Sequence, residues 1–491
     1  MNPPRLQSLR STARRWLDLS TRPIVRRWLD LSTRPAVRHW LHSLTQPAVR
    51  RWLDLSTGRT VVAWWLATRL LLFAAWAATG WHSQGDVGYY WQNLDGLFHG
   101  QSPSGVLREY PTPLVWILNV PYLLGFTTEM GFRIAFISLL TLTDALMTLM
   151  FWRTARRLGT NPAPTVGFWI VFIIAIGPIA YLRLDLLTAA LCAAAVITLV
   201  RHQRGVSGSM IGLGAAVKLW PALLLPAVLV DRAAVRRATG GFLVTGAALA
   251  ALSWLYSGWG RLVSPLRWQS DRGLQVESVW ATPAMLLRLV DPKGYHVGIS
   301  AYNAFEIAGP GTAGLISAAS IATLVGGLIV VALYVGWLRR SDRTPIEAGA
   351  LMIIATLIMI ATNKTFSPQY MIWLGGPVAG LLTLSERHPE PRSAGGAAQT
   401  PLTLARKIAR WILVLTVLTQ LVYPITYDWL VHAAGGRTWL STIILAARNV
   451  LLVYLTVRLI VWAGRSIAFA KAAAPLPAQT DPTLDDIPEA L

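Results

Sequence analysis

Asp86 is the acidic residue best placed for catalysis in a sequence that is otherwise strongly apolar. It lies in Trp81–Pro113, a polar and aromatic stretch that predicts a long loop between two membrane spans. Loops of this length usually carry a function. A carboxylate beside aromatic rings is typical of a general base for a sugar hydroxyl. The other candidate sugar contacts in this stretch are Tyr89, Tyr90, Glu109 and Tyr110.

Three basic residues are candidates for binding a phosphate, because ionisable groups at membrane depth are costly and usually functional. Arg183 would hold the phosphate and Asp185 would orient it, or the two would simply pair and fix the turn between two spans. Lys218 lies beside a helix break at Pro221, which leaves room for an anionic headgroup, although a lysine here can also snorkel. Lys364 is the third candidate.

Two further polar segments, Trp268–Ser278 and Asn363–Tyr370, combine donors, acceptors and charges between apolar spans. Ordinary solvated loops are the simpler interpretation. The density and variety of polar types favour a sugar or phosphate pocket. The candidate binding residues in these segments are Trp268, Arg272, Gln275, Glu277, Ser367, Gln369 and Tyr370.

The composition indicates a polytopic membrane protein, since 54% of the 491 residues are hydrophobic and only 14% are charged. The net charge of +21 is distributed between the apolar spans and in the N-terminal tract, which favours anionic lipid over nucleic acid as a partner. The single cysteine excludes a disulfide within the chain. Phosphate-loop, dinucleotide and zinc motifs are missing from the sequence, so neither a metal nor a cofactor is expected.

Long apolar segments predict the membrane helices that would position these residues. We place them at 61–80, 132–152, 164–182, 184–200, 240–257, 312–338, 345–361, 369–384, 409–427 and 440–462. The Gly- and Pro-interrupted stretch 207–230 predicts two short helices that meet near Lys218. Arg69, inside the first span, is expected to pair with an internal acid or to snorkel. The predicted fold is an all-α polytopic bundle of about 12 membrane helices, two of them short and broken, with long extracytoplasmic loops.

The distribution of basic residues predicts the orientation in the plasma membrane. Arg153–Arg157, Arg201–Arg204 and Arg339–Arg343 fall on one side, which is then cytoplasmic together with both termini. The loops 81–131 and 258–311 fall outside, which requires 114–126 to lie along the outer face without crossing.

Three regions are predicted along the chain: a basic cytoplasmic tract at 1–60, a transmembrane catalytic domain at 61–463 and a disordered cytoplasmic tail at 464–491. The first contains a twelve-residue repeat, RRWLDLSTRPIV at Arg14–Val25 and three variants up to Val61. The repeats would form a basic amphipathic segment on anionic lipid, or they are a duplicated tail without catalytic use.

Several motifs in this order resemble glycosyltransferase family 87 of the GT-C superfamily. They are GDVGYY at Gly85–Tyr90, EYPTP at Glu109–Pro113, YLRLDLLTA at Tyr181–Ala189, AAVKLWPALLLP at Ala215–Pro226, RGLQVES at Arg272–Ser278 and NKTFSPQYMIWL at Asn363–Leu374. The resemblance implies a GT-C-like bundle, an extracytoplasmic acid as general base, which maps onto Asp86, and an inverting, metal-independent transfer from a polyprenyl-phosphate sugar.

The chain departs from the family pattern at two places. Tyr110-Pro111-Thr112 stands where Tyr-Pro-Pro is common, and Arg183-Leu184-Asp185 stands where the mannosyltransferase branch has Gly-Gln-x-Asn. The function expected is the transfer of one sugar, mannose before others, to an extracytoplasmic glycolipid or glycan. An arabinofuranosyltransferase and a flippase or transporter of a lipid-linked glycan stay open as alternatives.

Overall fold

The computed structural model describes residues 54–79, 85–270, 272–386, 401–432 and 435–472. The chain divides into two compact units, residues 1–63 and residues 64–491. Of the first unit, residues 54–63 are described. The predicted basic tract with its repeats therefore lies almost wholly outside the described residues, as does the predicted tail beyond Ala472.

Helices form nearly all of the regular structure. In chain order they are α1 (Gly58–Thr79), α2 (Gly85–Phe98), α3 (Thr112–Leu124), α4 (Glu129–Arg157), α5 (Ala163–Ile176), α6 (Asp185–Val200), α7 (Arg204–Val217), α8 (Arg232–Ser270), α9 (Thr282–Leu287), α10 (Thr312–Leu338), α11 (Pro345–Thr362), α12 (Ile372–Ser385), α13 (Pro401–Gln420), α14 (Tyr427–Val431) and α15 (Gly436–Ala472). One small antiparallel sheet pairs β1 (His296–Ile299) with β2 (Phe305–Ala308).

Eight of the described helices are long and apolar enough to cross a membrane, namely α1, α4, α5 with its extension to Tyr181, α8, α10, α11, α13 with its extension to Ile425, and α15. The predicted all-α polytopic fold is confirmed. The predicted spans 184–200 and 369–384 correspond to α6 and α12, which have 16 and 14 residues. At about 1.5 Å per residue these helices are roughly 24 and 21 Å long, shorter than about 30 Å of hydrocarbon. The predicted count of about twelve thus depends on short helices.

The stretch 81–113 is not one long loop as predicted, because it contains α2, with Asp86 in its first turn. Val87, Tyr90 and Leu94 are buried, and their spacing places them on one helical face that packs against the protein. Near the other end of the chain, α15 continues to Ala472, so the boundary predicted at residue 463 falls inside a helix.

The predicted break at Lys218 is confirmed. Helix α7 ends at Val217, Lys218 has an extended backbone, and a 3₁₀ helix spans Trp220–Val228. Helix α7 packs closely on α8, since a Cβ atom at Gly208 would lie 1.8 Å from the carbonyl oxygen of Ala238. At the end of α7, the backbone N–H of Lys218 donates to the carbonyl oxygen of Gly214 at 2.9 Å, so the helix end positions Lys218.

A buried acid anchors the turn that precedes α6. Asp144 accepts hydrogen bonds from Arg69 Nε, Trp169 Nε1 and Tyr181 Oη, each at 2.8 Å. The expected pairing of Arg69 with an internal acid is confirmed. Tyr181 ends a short 3₁₀ helix two residues before Arg183, so this network holds in place the backbone that presents Arg183.

Candidate active site

The predicted site residues meet at one large cavity of about 1110 Å³. All of them line it except Asp185, which lies behind Lys218. The structure thus brings together residues of α2, of the turn before α6, of the break after α7 and of two later loops.

Asp86 and Arg183 form an ion pair in the wall of the cavity. The Asp86 carboxylate projects from the first turn of α2, and Arg183 reaches it from the turn before α6. Their side chains are 26% and 11% exposed, so both remain accessible from the cavity. The alternative pairing of Arg183 with Asp185 is wrong. The candidate base and one candidate phosphate cation instead neutralise each other.

Lys218 forms a second ion pair. Its Nζ lies 2.7 Å from Asp185 Oδ1, which also accepts a hydrogen bond from Trp373 Nε1. The ammonium group lies 5.2 to 5.9 Å from the ring centroids of Tyr110, Tyr370 and Trp373. These distances are within the range of cation–π contacts, and Lys218 also lines the cavity.

A pair of tyrosines connects α2 with the turn before α3. The hydroxyls of Tyr90 and Tyr110 lie 3.1 Å apart. Arg261 fixes this turn by donating to the carbonyl oxygens of Tyr110 at 2.7 Å and Leu107 at 2.9 Å. Arg261 becomes available because α8 bends at Gly258, whose φ of +78° is easily adopted only by glycine. Arg261 was not predicted from the sequence, although an arginine three residues after a glycine at the end of a span was a usable signal.

The structure brings together the segments Trp268–Ser278 and Asn363–Tyr370, which were predicted to contribute to a sugar or phosphate pocket. The backbone N–H of Gln275 donates to the carbonyl oxygen of Lys364 at 3.2 Å, and Gln275 Nε2 donates to Ser367 Oγ at 3.3 Å. The first segment also bonds to β2, where Val276 N–H donates to the carbonyl oxygen of Phe305. The β1–β2 hairpin, which was not predicted from the sequence, supports this wall of the cavity.

Glu277 borders the cavity but its carboxylate has a protein partner. It accepts a hydrogen bond from Arg448 Nη1 at 2.8 Å and is only 1% exposed. Burial raises the pKa of Glu277 to about 7, although the positive charge of Arg448 and its hydrogen bond lower this pKa in part. Arg448 and Asn449 also donate to the Glu277 carbonyl oxygen. The geometry therefore favours an anchoring function over the predicted sugar contact. Arg448 was not predicted as a functional or structural residue, although a charged residue inside the predicted span 440–462 indicates a buried partner.

Several buried polar atoms of the cavity wall have no hydrogen-bond partner among the described residues. They are Glu109 Oε2, Arg183 Nε, Trp220 Nε1, Arg272 Nε and Gln275 Oε1. Burial also raises the pKa of Glu109. Buried polar atoms in native proteins are nearly always paired. This clustering therefore indicates a cavity that is built to bind a polar, charged molecule.

Other parts of the same cavity are apolar. Leu219 and Leu223 follow the break at Lys218, and Ala319 of α10 and Met359 of α11 also line the cavity. Helix α10 exposes Leu324 and Leu328 beyond this region, as expected for a helix that faces lipid. The site thus combines a charged region with a hydrocarbon-like wall that suits a lipid-linked molecule.

Among solved structures, the chain is similar to ArnT from Cupriavidus metallidurans bound to undecaprenyl phosphate, at 16% identity and a TM-score of 0.39. The alignment covers 82% of this chain and 78% of that chain. A comparison with curated proteins finds no match.

The model of glycosyltransferase family 87 matches residues 110–368, more than half of the chain. The matched part includes Arg183, Lys218, Arg272 and Lys364, whereas Asp86 precedes it. The resemblance noted from the motifs is confirmed: the chain belongs to glycosyltransferase family 87.

Proposed function

We propose that this glycosyltransferase transfers a single sugar from a polyprenyl-phosphate donor to an extracytoplasmic glycolipid or glycan acceptor, with inversion at the anomeric carbon. Mannose is the first candidate sugar because of the family resemblance. The observation that carries the proposal is the cavity in which Asp86, four basic residues and an apolar wall meet.

The cations would bind the donor phosphate. Lys218 borders both the charged region and the apolar wall at Leu219 and Leu223, along which the polyprenyl chain would lie. Arg183 or Lys364 would supply additional charge. A lipid phosphate becomes a usable leaving group when cations neutralise the charge that develops as the glycosidic bond breaks.

Asp86 would be the general base. It would accept the proton of the acceptor hydroxyl while that oxygen attacks the anomeric carbon from the face opposite the phosphate, and a single displacement inverts the configuration. In this structure Arg183 holds the carboxylate. A donor phosphate that binds Arg183 would weaken this ion pair and release Asp86, so donor binding would precede proton transfer.

The remaining residues would bind the sugars. Tyr89 and Trp268 are rings of the cavity wall that can stack on a sugar face, while Tyr90 is only 1% exposed and bonds to Tyr110. Burial, and then the Glu109 carboxylate, raise the pKa of Tyr89, so its hydroxyl stays a donor at neutral pH. Further polar contacts would come from Glu109, Arg272, Gln275, Ser367 and Gln369.

A transfer assay tests the proposed reaction. The purified full-length chain in detergent is incubated with polyprenyl-phosphate [¹⁴C]mannose and a glycolipid extract. We expect a labelled glycolipid whose new linkage has the inverted configuration, together with free polyprenyl phosphate. Transfer from polyprenyl-phosphate arabinofuranose alone would favour the arabinose alternative. Without any new glycosidic bond from either donor, the transporter alternative would be favoured.

The proposed orientation places α2 and the cavity outside the cell and both termini inside. Cys192 is the single cysteine and is buried, so introduced cysteines can be labelled selectively. We expect S102C, at an exposed position after α2, to react with a membrane-impermeant maleimide on intact cells. S341C, exposed between α10 and α11, should react only after permeabilisation. The opposite labelling pattern would contradict an extracytoplasmic site.

A further inference from the structure

A second groove lies between α13 and α15, with a volume of about 460 Å³. It is located toward the opposite end of α13 from the candidate active site. Trp411 lines the groove, whereas Tyr423, beyond the C-terminal end of α13 at Gln420, lines the large cavity. The groove is therefore a separate site.

Three basic side chains surround the groove: Lys407 from α13, and Arg458 and Arg465 from α15. All three are exposed, and none forms an ion pair with an acid in the described part of the chain. The floor between them is apolar, with Ile408, Leu455 and Leu459 at most 5% exposed. The two helices thus provide concentrated positive charge above a hydrocarbon surface.

Aromatic residues place the groove at a membrane interface. Trp411 and Tyr454 are 43% and 51% exposed, and Trp462 completes the lining. Tryptophan and tyrosine concentrate where headgroups meet hydrocarbon, since their rings are amphipathic. Val414 and Val457 on the same helices are also exposed, as expected for surfaces that contact acyl chains.

We propose that this groove binds an anionic phospholipid. The three cations contact its phosphate and headgroup, and one acyl chain lies on the apolar floor. Basic pockets between membrane helices commonly bind anionic headgroups. The acidic segment after residue 472, with Asp481, Asp485 and Asp486, is a competing occupant. The apolar floor and the exposed aromatic rings favour the lipid, because they match an acyl chain and a headgroup boundary.

Native mass spectrometry of the full-length protein, with increasing phosphatidylglycerol, tests the proposal. We expect one tightly retained phosphatidylglycerol, and weaker retention of phosphatidylcholine. The triple variant K407Q/R458Q/R465Q should bind phosphatidylglycerol at least about tenfold more weakly. The charge-preserving variant K407R/R458K/R465K should retain binding, which separates loss of charge from loss of fold.

The matched control is R153Q/R236Q/R237Q, which removes three exposed basic residues outside the groove. It should retain the bound lipid. Equal weakening in both triple variants, or equal retention of the neutral lipid, would overturn the proposal. It would also be overturned if the full chain bound no phosphatidylglycerol while a chain ending at residue 472 did, because the acidic segment would then occupy the groove.

Discussion

Asp86→Asn is expected to lower sugar transfer by about 10³-fold, the range typical for loss of a general base. The substitution keeps the size of the side chain and its oxygen acceptor but removes the negative charge that takes the proton. Folding should change little, because Asp86 is at the start of α2 and its side chain is 26% exposed. Donor binding should not weaken, because Arg183 loses a carboxylate that competes with the phosphate. Initial rates of [¹⁴C]mannose transfer, with donor binding measured separately, check this expectation.

Asp95→Asn on the same helix is the matched control. Asp95 accepts a hydrogen bond from Tyr122 Oη at 2.9 Å and does not line the cavity. Asparagine can accept the same bond, so this variant should transfer sugar at nearly the normal rate. If D86N retained normal turnover, Asp86 would not be the base. Glu109, whose buried carboxylate also borders the cavity, would then be the acid to test by E109Q.

The sequence predicted which residues would gather at the cavity because polar groups are rare in apolar segments. A charged residue beside a Pro-broken helix, such as Lys218, has few explanations other than function or a buried partner. The same reasoning identified the pocket formed by Gln275 and Ser367, whose segments are far apart in the chain. Polar residues in apolar segments and Pro-induced helix breaks therefore predicted many of the polar residues that line the cavity.

The pairing of charges could not be predicted from the sequence. Arg183 pairs with Asp86 and not with Asp185, because the first turn of α2, which contains Asp86, lies against the turn that precedes α6. The helix α2 was not predicted because its many polar residues obscure the helical spacing of the buried residues Val87, Tyr90 and Leu94. Arg448 likewise pairs with Glu277 only because α15 packs beside the loop that contains Glu277. Such contacts depend on tertiary packing, which local patterns do not specify.

The two ion pairs of the site share one structural element. Arg183 and Asp185 are separated only by Leu184, yet they contact Asp86 and Lys218 respectively. A phosphate bound at Lys218 would therefore also act on the turn whose Arg183 holds the candidate base. This arrangement gives a physical reason for donor binding and base release to be coupled.

Lys218→Met is expected to lower transfer by about 10²- to 10³-fold, the cost of removing one group that stabilises developing charge. The variant also leaves Asp185 without its ammonium partner, and this uncompensated charge would repel the donor phosphate. Lys218→Arg, which keeps the positive charge, should lose much less activity. Lys293→Met, at an exposed position in the loop between α9 and β1, is the control and should be neutral.

The double variant K218M/D185N separates the two contributions. If repulsion by Asp185 contributes to the loss, the double variant should bind donor more tightly than K218M. Its turnover should stay low because the Lys218 ammonium group no longer faces the leaving phosphate. The comparison requires the Kd for the donor as well as the transfer rate. Transfer by K218M close to that of K293M would exclude Lys218 from the reaction. The phosphate would then have to be stabilised by Arg183, Arg272 or Lys364, the other cations that line the cavity.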